Sequence, residues 1–188
     1  MIPDLHDGHL PVGRFGCTLE EVHSRFVAAE TFTDSETRSD LWDGLVKYLA
    51  EWETINARSE VLVLERIWIG GSFASSELNP SDVDVSPILG AAALAAARSA
   101  RCSKRIKKLI EHRDGVRRHY GVEPFVIERE PLTSILTKRL SAAEYEYIAT
   151  RGLFDDFWMR RHARGPKQGL SEDTAQPRRG YLEVNPWH

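Results

Sequence analysis

The stretch IWIGGSFASSELNPSDVDV, residues 67–85, constrains this chain more than any other. A short apolar run stops at Gly70-Gly71, which reads as the end of a β-strand. Ser72 follows, then the nine residues FASSELNPS, then Asp82-Val83-Asp84-Val85. That last alternation reads as a second short strand. Val83 and Val85 then face a core, while Asp82 and Asp84 leave the opposite face roughly 7 Å apart along the strand. Any fold of this chain has to seat two carboxylates together on one face of a sheet.

Two carboxylates on one face repel unless positive charge stands between or above them. Hard divalent cations answer that need: Mg2+ takes oxygen ligands, commonly one or two carboxylates together with substrate phosphates. The glycine turn supplies a second element. Gly70 and Gly71 permit backbone conformations closed to other residues and allow close approach of a ligand. Successive N–H groups in such a turn form an anion-binding concavity, and Ser72 adds a hydroxyl. A phosphate cradle beside a metal clamp is the equipment for phosphoryl or nucleotidyl transfer with two metal ions. Each half alone is common; the combination at this spacing is specific.

Around this centre the chain reads as alternating helices and short strands. Thr18 and Glu21 form a capping box that opens a helix with Leu19, Val22, Phe26 and Ala29 on one face. A second helix is predicted over 39–55, with Leu41, Leu45, Leu49, Trp52 and Ile55 as its apolar stripe and Gly44 as a small cost in helicity. The first strand is predicted over 66–69 and the second over 82–85, ended by Ser86-Pro87. Residues 90–120 read as helix. GVEPFVIE, 121–128, reads as a third strand, placed at an edge by Pro124. A capping box at Ser141 and Glu144 opens helix in two pieces, to about Tyr147 and from about Phe154 to His162. One further short strand is predicted over 181–184. The order implies an α+β or mixed α/β fold, a small mixed sheet flanked by helices. An N-terminal arm and helix (1–36), a core (37–130) and C-terminal helices with a tail (131–188) are expected to pack as one domain.

Composition narrows the function classes. The net charge of −3 argues against a general polyanion binder. Residues 98–118 hold nine Lys or Arg and two acids. They read as a solvated helix face, with a nucleic-acid or partner surface as the alternative. Cys17 and Cys102 have no metal or redox spacing and read as free thiols. The N-terminus lacks the pattern of a secretory signal. The apolar run at 90–100 is too short to span a bilayer, so a cytoplasmic protein is expected. His6 and His9 receive no role. Trp42, Trp52, Trp68 and Trp158 are expected in the core.

The glycine–aspartate stretch resembles the signature of the polymerase-β-like nucleotidyltransferase superfamily: an apolar residue (Ile69), Gly71-Ser72, a spacer, then Asp82-Val83-Asp84-Val85. The short chain is similar to the minimal bacterial nucleotidyltransferases. More narrowly, LPVGRFGCTLEEVHSRF, LWDGL, IWIGGSF with NPSDVDV, and FWMRRHARG with RRGYLEV resemble an uncharacterised bacterial nucleotidyltransferase-like family. The resemblance implies a nucleotidyltransferase-like fold and two Mg2+ ions on Asp82 and Asp84. It implies that Gly70, Gly71 and Ser72 bind the distal phosphates of an NTP such as ATP. It also implies a third carboxylate on a following strand that acts as base, Glu123 in preference to Glu128.

The implied activity moves an NMP from an NTP to an acceptor hydroxyl. On analogy with toxin–antitoxin pairs, the acceptor is a partner protein; nucleic acid and membrane are not expected partners. The alternative is a catalytically inactive member of the fold, a binding or antitoxin-like module. Two departures stand out. The third carboxylate is Glu where Asp is usual. The spacer carries Glu77 and no Lys or Arg, so Lys138, Arg139, Arg160 and Arg161 are the candidates for meeting the phosphates.

Overall fold

The computed structural model describes residues 1–161 and 174–187. Local signals set the helices. In α1 (Leu19–Phe26), the Thr18 hydroxyl accepts from the Glu21 N–H and the Glu21 carboxylate accepts from the Thr18 N–H. The long helix α2 (Arg38–Ser59) extends beyond its predicted ends, and all five residues of its expected stripe are buried. Its glycine does more than weaken the helix. A Cβ on Gly44 would sit 1.9 Å from the carbonyl oxygen of Tyr120, so the residue lets another segment cross the helix closely.

Among the described residues, six strands form one mixed sheet: β1 (Gly13–Cys17), β2 (Leu64–Ile69), β3 (Val83–Gly90), β4 (Val122–Pro124), β5 (Ile127–Arg129) and β6 (Gly180–Val184). The spatial order is β1-β6-β2-β3-β4, with β5 following β4 along the same side of β3. The pairs β6–β2 and β2–β3 are antiparallel. The pairs β1–β6, β3–β4 and β3–β5 are parallel. The chain is thus a mixed α/β protein whose sheet is flanked by helices.

Three local readings are corrected, and one strand is added. First, β3 starts at Val83, one residue after Asp82, and does not stop at Ser86-Pro87 but continues to Gly90. Pairing on its outer side stops at Val85–Pro124 and resumes at Ile88–Ile127. Pro87, which has no N–H to donate, therefore falls in the gap between β4 and β5. The predicted third strand is accordingly two short strands, at the edge that Pro124 indicated. Second, the helical region 90–120 is three helices, α3 (Ala91–Ala97), α4 (Ser103–Ile110) and α5 (Arg113–Tyr120). The break after α3 lies at Ala100 and Arg101, the latter at φ 65°. Third, α6 (Ala142–Met159) is continuous through Gly152, not two pieces, and it ends at Met159, short of the predicted His162, which itself lies outside the described residues. The added strand is β1. GRFGC has two glycines and a weak strand pattern, and it becomes a strand by pairing with β6.

The main core fills one face of the sheet. Val83, Val85, Leu89, Ile67, Ile69 and Val184 meet Leu45, Leu49, Trp52 and Ile55 of α2 there. A second, smaller core covers part of the other face, where Trp158 of α6 packs with Trp68, Ile88 and Tyr181. Trp42 is only partly buried, whereas the other three expected core tryptophans are fully buried. Cys17 and Cys102 are free thiols. Among the described residues, no helix is long and apolar enough to cross a membrane.

Candidate functional site

Strand β2 ends at Ile69, and the turn after it closes onto β3. The Gly70 N–H donates to the Asp84 carbonyl at 3.1 Å. Gly71 has φ +66°, and a Cβ there would lie 1.9 Å from Oδ2 of Asp84. Conformation and space both demand glycine at this position. The group that a side chain here would strike first is the Asp84 carboxylate. A Cβ at Gly70 would press on the Trp158 ring at 2.7 Å. Ser72 is half-buried, and its carbonyl accepts from the Ser75 hydroxyl.

On β3 the alternation places Val83 and Val85 in the main core and Asp84 on the opposite face, with Asp82 in the residue just before the strand. The parallel pairing with β4 sets Glu123 opposite Asp84. Oxygen atoms of Asp82, Asp84 and Glu123 lie within 4.8 Å of one another. Glu128 does not join them: it pairs in register with Leu89 and faces Arg98 at 3.9 Å.

The positive charge at this cluster comes from residues outside the spacer. Helix α5 ends at Gly121, in the left-handed region, and leads directly into β4. The Gly121 carbonyl accepts from the Val83 N–H at 2.8 Å, which binds that corner to β3. Arg113 and Arg117, one helical turn apart, therefore overhang the carboxylates. Arg117 Nη2 lies 2.7 Å from Oδ2 of Asp82. Arg113 pairs with Glu123 and stacks 4.0 Å over the Phe125 ring. Arg179, just before β6, is mostly buried and donates from Nε to the Trp158 carbonyl at 3.1 Å.

Asp84 carries the electrostatic cost of this arrangement. Burial, then the charges of Asp82 and Glu123, push its carboxyl from 3.8 up to about 7, against the pull of Arg179 and Arg113. Burial in turn lowers the Arg179 guanidinium from its ordinary value, while Asp84 raises it. Three carboxylate oxygens in one small volume, crowded by burial and by one another's charge, suit a hard divalent cation.

Glu77, the negative charge in the spacer, faces a different residue. It is not among the charges acting on Asp84. It acts on Arg38, a guanidinium only 1% exposed. Arg38 donates to the carbonyls of Phe26, Phe73, Ser75 and Glu77, which pins residues 73–77 behind the glycine turn. Of the four basic residues expected at the phosphates, Lys138 and Arg139 sit exposed in a separate short turn. Arg160 pairs with Asp156, and Arg161 acts on Arg179.

The family described as "Family of unknown function (DUF6932)" matches residues 3–185. The chain belongs to that family. No curated protein and no solved structure matches it.

In this member of the DUF6932 family, the matched span includes the three carboxylates and the three arginines beside them. Sequence reasoning missed Arg113, Arg117, Arg179 and Arg38. The first two carried a readable signal: arginines four apart on a helix that runs through one glycine into the strand of the third carboxylate. Arg179 and Arg38 carried none, because their partners are distant in the chain. A cavity of about 470 Å3 lined by Glu65, Arg129, Tyr147 and Glu183 includes none of the three carboxylates.

Proposed function

We propose that the chain is a Mg2+-dependent nucleotidyltransferase that moves an NMP from an NTP to an acceptor hydroxyl. The observation that carries this reading is the meeting of Asp82, Asp84 and Glu123 on one sheet face, hard against the glycine turn. The resemblance of residues 69–85 to the polymerase-β-like signature supports it, as does the mixed sheet flanked by helices. Asp82, Asp84 and Glu123 would hold the cations, two in number on the family pattern. Bound Mg2+ would polarise the transferred phosphoryl group and neutralise charge developing on it. Gly71 keeps the approach to Asp84 free of a side chain, and the turn with Ser72 would take the phosphates. Glu123, already within the cluster, is the base for the acceptor hydroxyl. That acceptor is a partner protein, on analogy with minimal members of the superfamily.

The test is incubation with α-labelled NTPs and Mg2+, with wild type beside Asp82→Asn. Label transfer by wild type and its loss in the variant are expected. Transfer that survives the substitution overturns this mechanism.

A second reading has its own observation. Arg117 on Asp82 and Arg113 on Glu123 neutralise the cluster with no cation required. On that reading the chain is a non-catalytic binding or antitoxin-like module of the same fold. Calorimetry with Mg·ATP separates the two, since metal-dependent nucleotide binding argues for the first.

A further inference from the structure

Three carboxylates and three guanidinium groups meet at the start of β3, and the two sets differ in freedom. The side chains of Arg113 and Arg117 are 47% and 48% exposed, whereas Glu123 and Asp82, which they hold, are 20% and 8% exposed. Glu123 and Asp84 are fixed by strand register, and Asp82 is the residue that leads into β3. The arginines reach in from α5 on long, solvated arms. Arg179 is held apart from this exchange by burial and by its bond to the Trp158 carbonyl.

A divalent cation entering the cluster competes with Arg113 and Arg117 for the same oxygens. Once displaced, the two guanidinium groups remain tethered beside the ion with their charge uncompensated. An anion bridging to that ion then has two planar, multi-donor forks within reach. Guanidinium matches phosphate oxygens in pairs, which a lone ammonium does not. The spacer FASSELNPS offers no cation of its own.

We propose that Arg113 and Arg117 form an exchangeable polyphosphate clamp. They hold Glu123 and Asp82 when no cation is bound, and pass to the phosphates of a nucleotide when a divalent cation takes the carboxylates. This inference rests on the nucleotidyl-transfer reading above and assigns the phosphate-binding cations within it.

The experiment measures two affinities on the full chain: Mn2+ alone, by its paramagnetic signal, and α,β-methylene-ATP in saturating Mn2+, by calorimetry. Wild type is compared with the Arg113→Ala/Arg117→Ala pair. Removing competing cations should tighten Mn2+ about fivefold, and removing the clamp should weaken the nucleotide about tenfold or more. Arg118→Ala, an exposed site on the same helix, removes one positive charge without touching the carboxylates and should move neither constant. If the double variant melts below the working temperature, Arg117→Gln alone should show the same two opposite shifts at smaller size. Constants that move together, or not at all, in a protein whose wild type binds both ligands overturn the clamp and leave the nucleotidyl reading standing. A wild type that binds neither Mn2+ nor nucleotide overturns both.

Discussion

Glu123 stands directly opposite Asp84 in the parallel pairing of β3 and β4, although the two are far apart in the chain. That one register position turns a pair of aspartates into a cluster of three carboxylates. It also separates Glu123 from Glu128, which sits farther along the same edge beside Arg98. Glu123→Gln should therefore weaken Mn2+ binding about tenfold or more, while Glu128→Gln leaves it within experimental error. Equal losses in the two variants would contradict this assignment.

Asp84 gives a pH signature. Its folded-state carboxyl is pushed up to about 7 from 3.8. With metal removed, the unfolded chain releases this proton first. Stability therefore falls as pH rises from about 4 to about 7 and levels off above that. Asp84→Asn lacks this loss and should exceed wild type by on the order of 4 kcal/mol above pH 7. Urea unfolding in EDTA between pH 5 and 9 measures the gap, and a gap that does not change with pH would refute the explanation. Saturating Mn2+ should narrow it.

Gly71→Ala places a methyl group where the Asp84 carboxylate lies, on a backbone at φ +66°. The expected cost is about 1–2 kcal/mol of stability together with loss of Mn2+ affinity. Urea unfolding and the Mn2+ titration check the two separately. Unchanged Mn2+ binding would mean that the turn does not position Asp84.

Arg38 is buried with its guanidinium donors directed at four carbonyls. Arg38→Met strands those acceptors and should cost about 3 kcal/mol or more in urea unfolding. Arg38→Lys should recover little, because an ammonium cannot span all four. A mild effect of either substitution would show that the 73–77 segment holds its shape without this residue.

Two helix glycines should respond with opposite sign. A Cβ at Gly44 would meet the Tyr120 carbonyl at 1.9 Å, whereas one at Gly152 meets nothing within 4 Å. Gly44→Ala should destabilise by at least about 2 kcal/mol. Gly152→Ala should stabilise by about 0.5–1 kcal/mol, the difference in helix propensity. Thermal melts of the two variants beside wild type read the signs directly.

What the sequence alone determined is local. The capping boxes at Thr18–Glu21 and Ser141–Glu144 join residues three apart, so their geometry follows from the chain itself. The stripe of α2 and the shared face of Asp82 and Asp84 follow from the helical and strand periods. Tertiary structure alone decided which distant groups answer those features. The GRFGC segment became β1 only by pairing with β6, and Pro87 could remain in β3 only because its outer neighbour is broken there. Arg179 reached Asp84 because β6 inserts between β1 and β2, a placement that no local signal encodes. The physical reason is common to all three. A cap or a period is set by bonds within a turn or two of chain, whereas strand order and buried charge pairing are chosen by packing over the whole sheet.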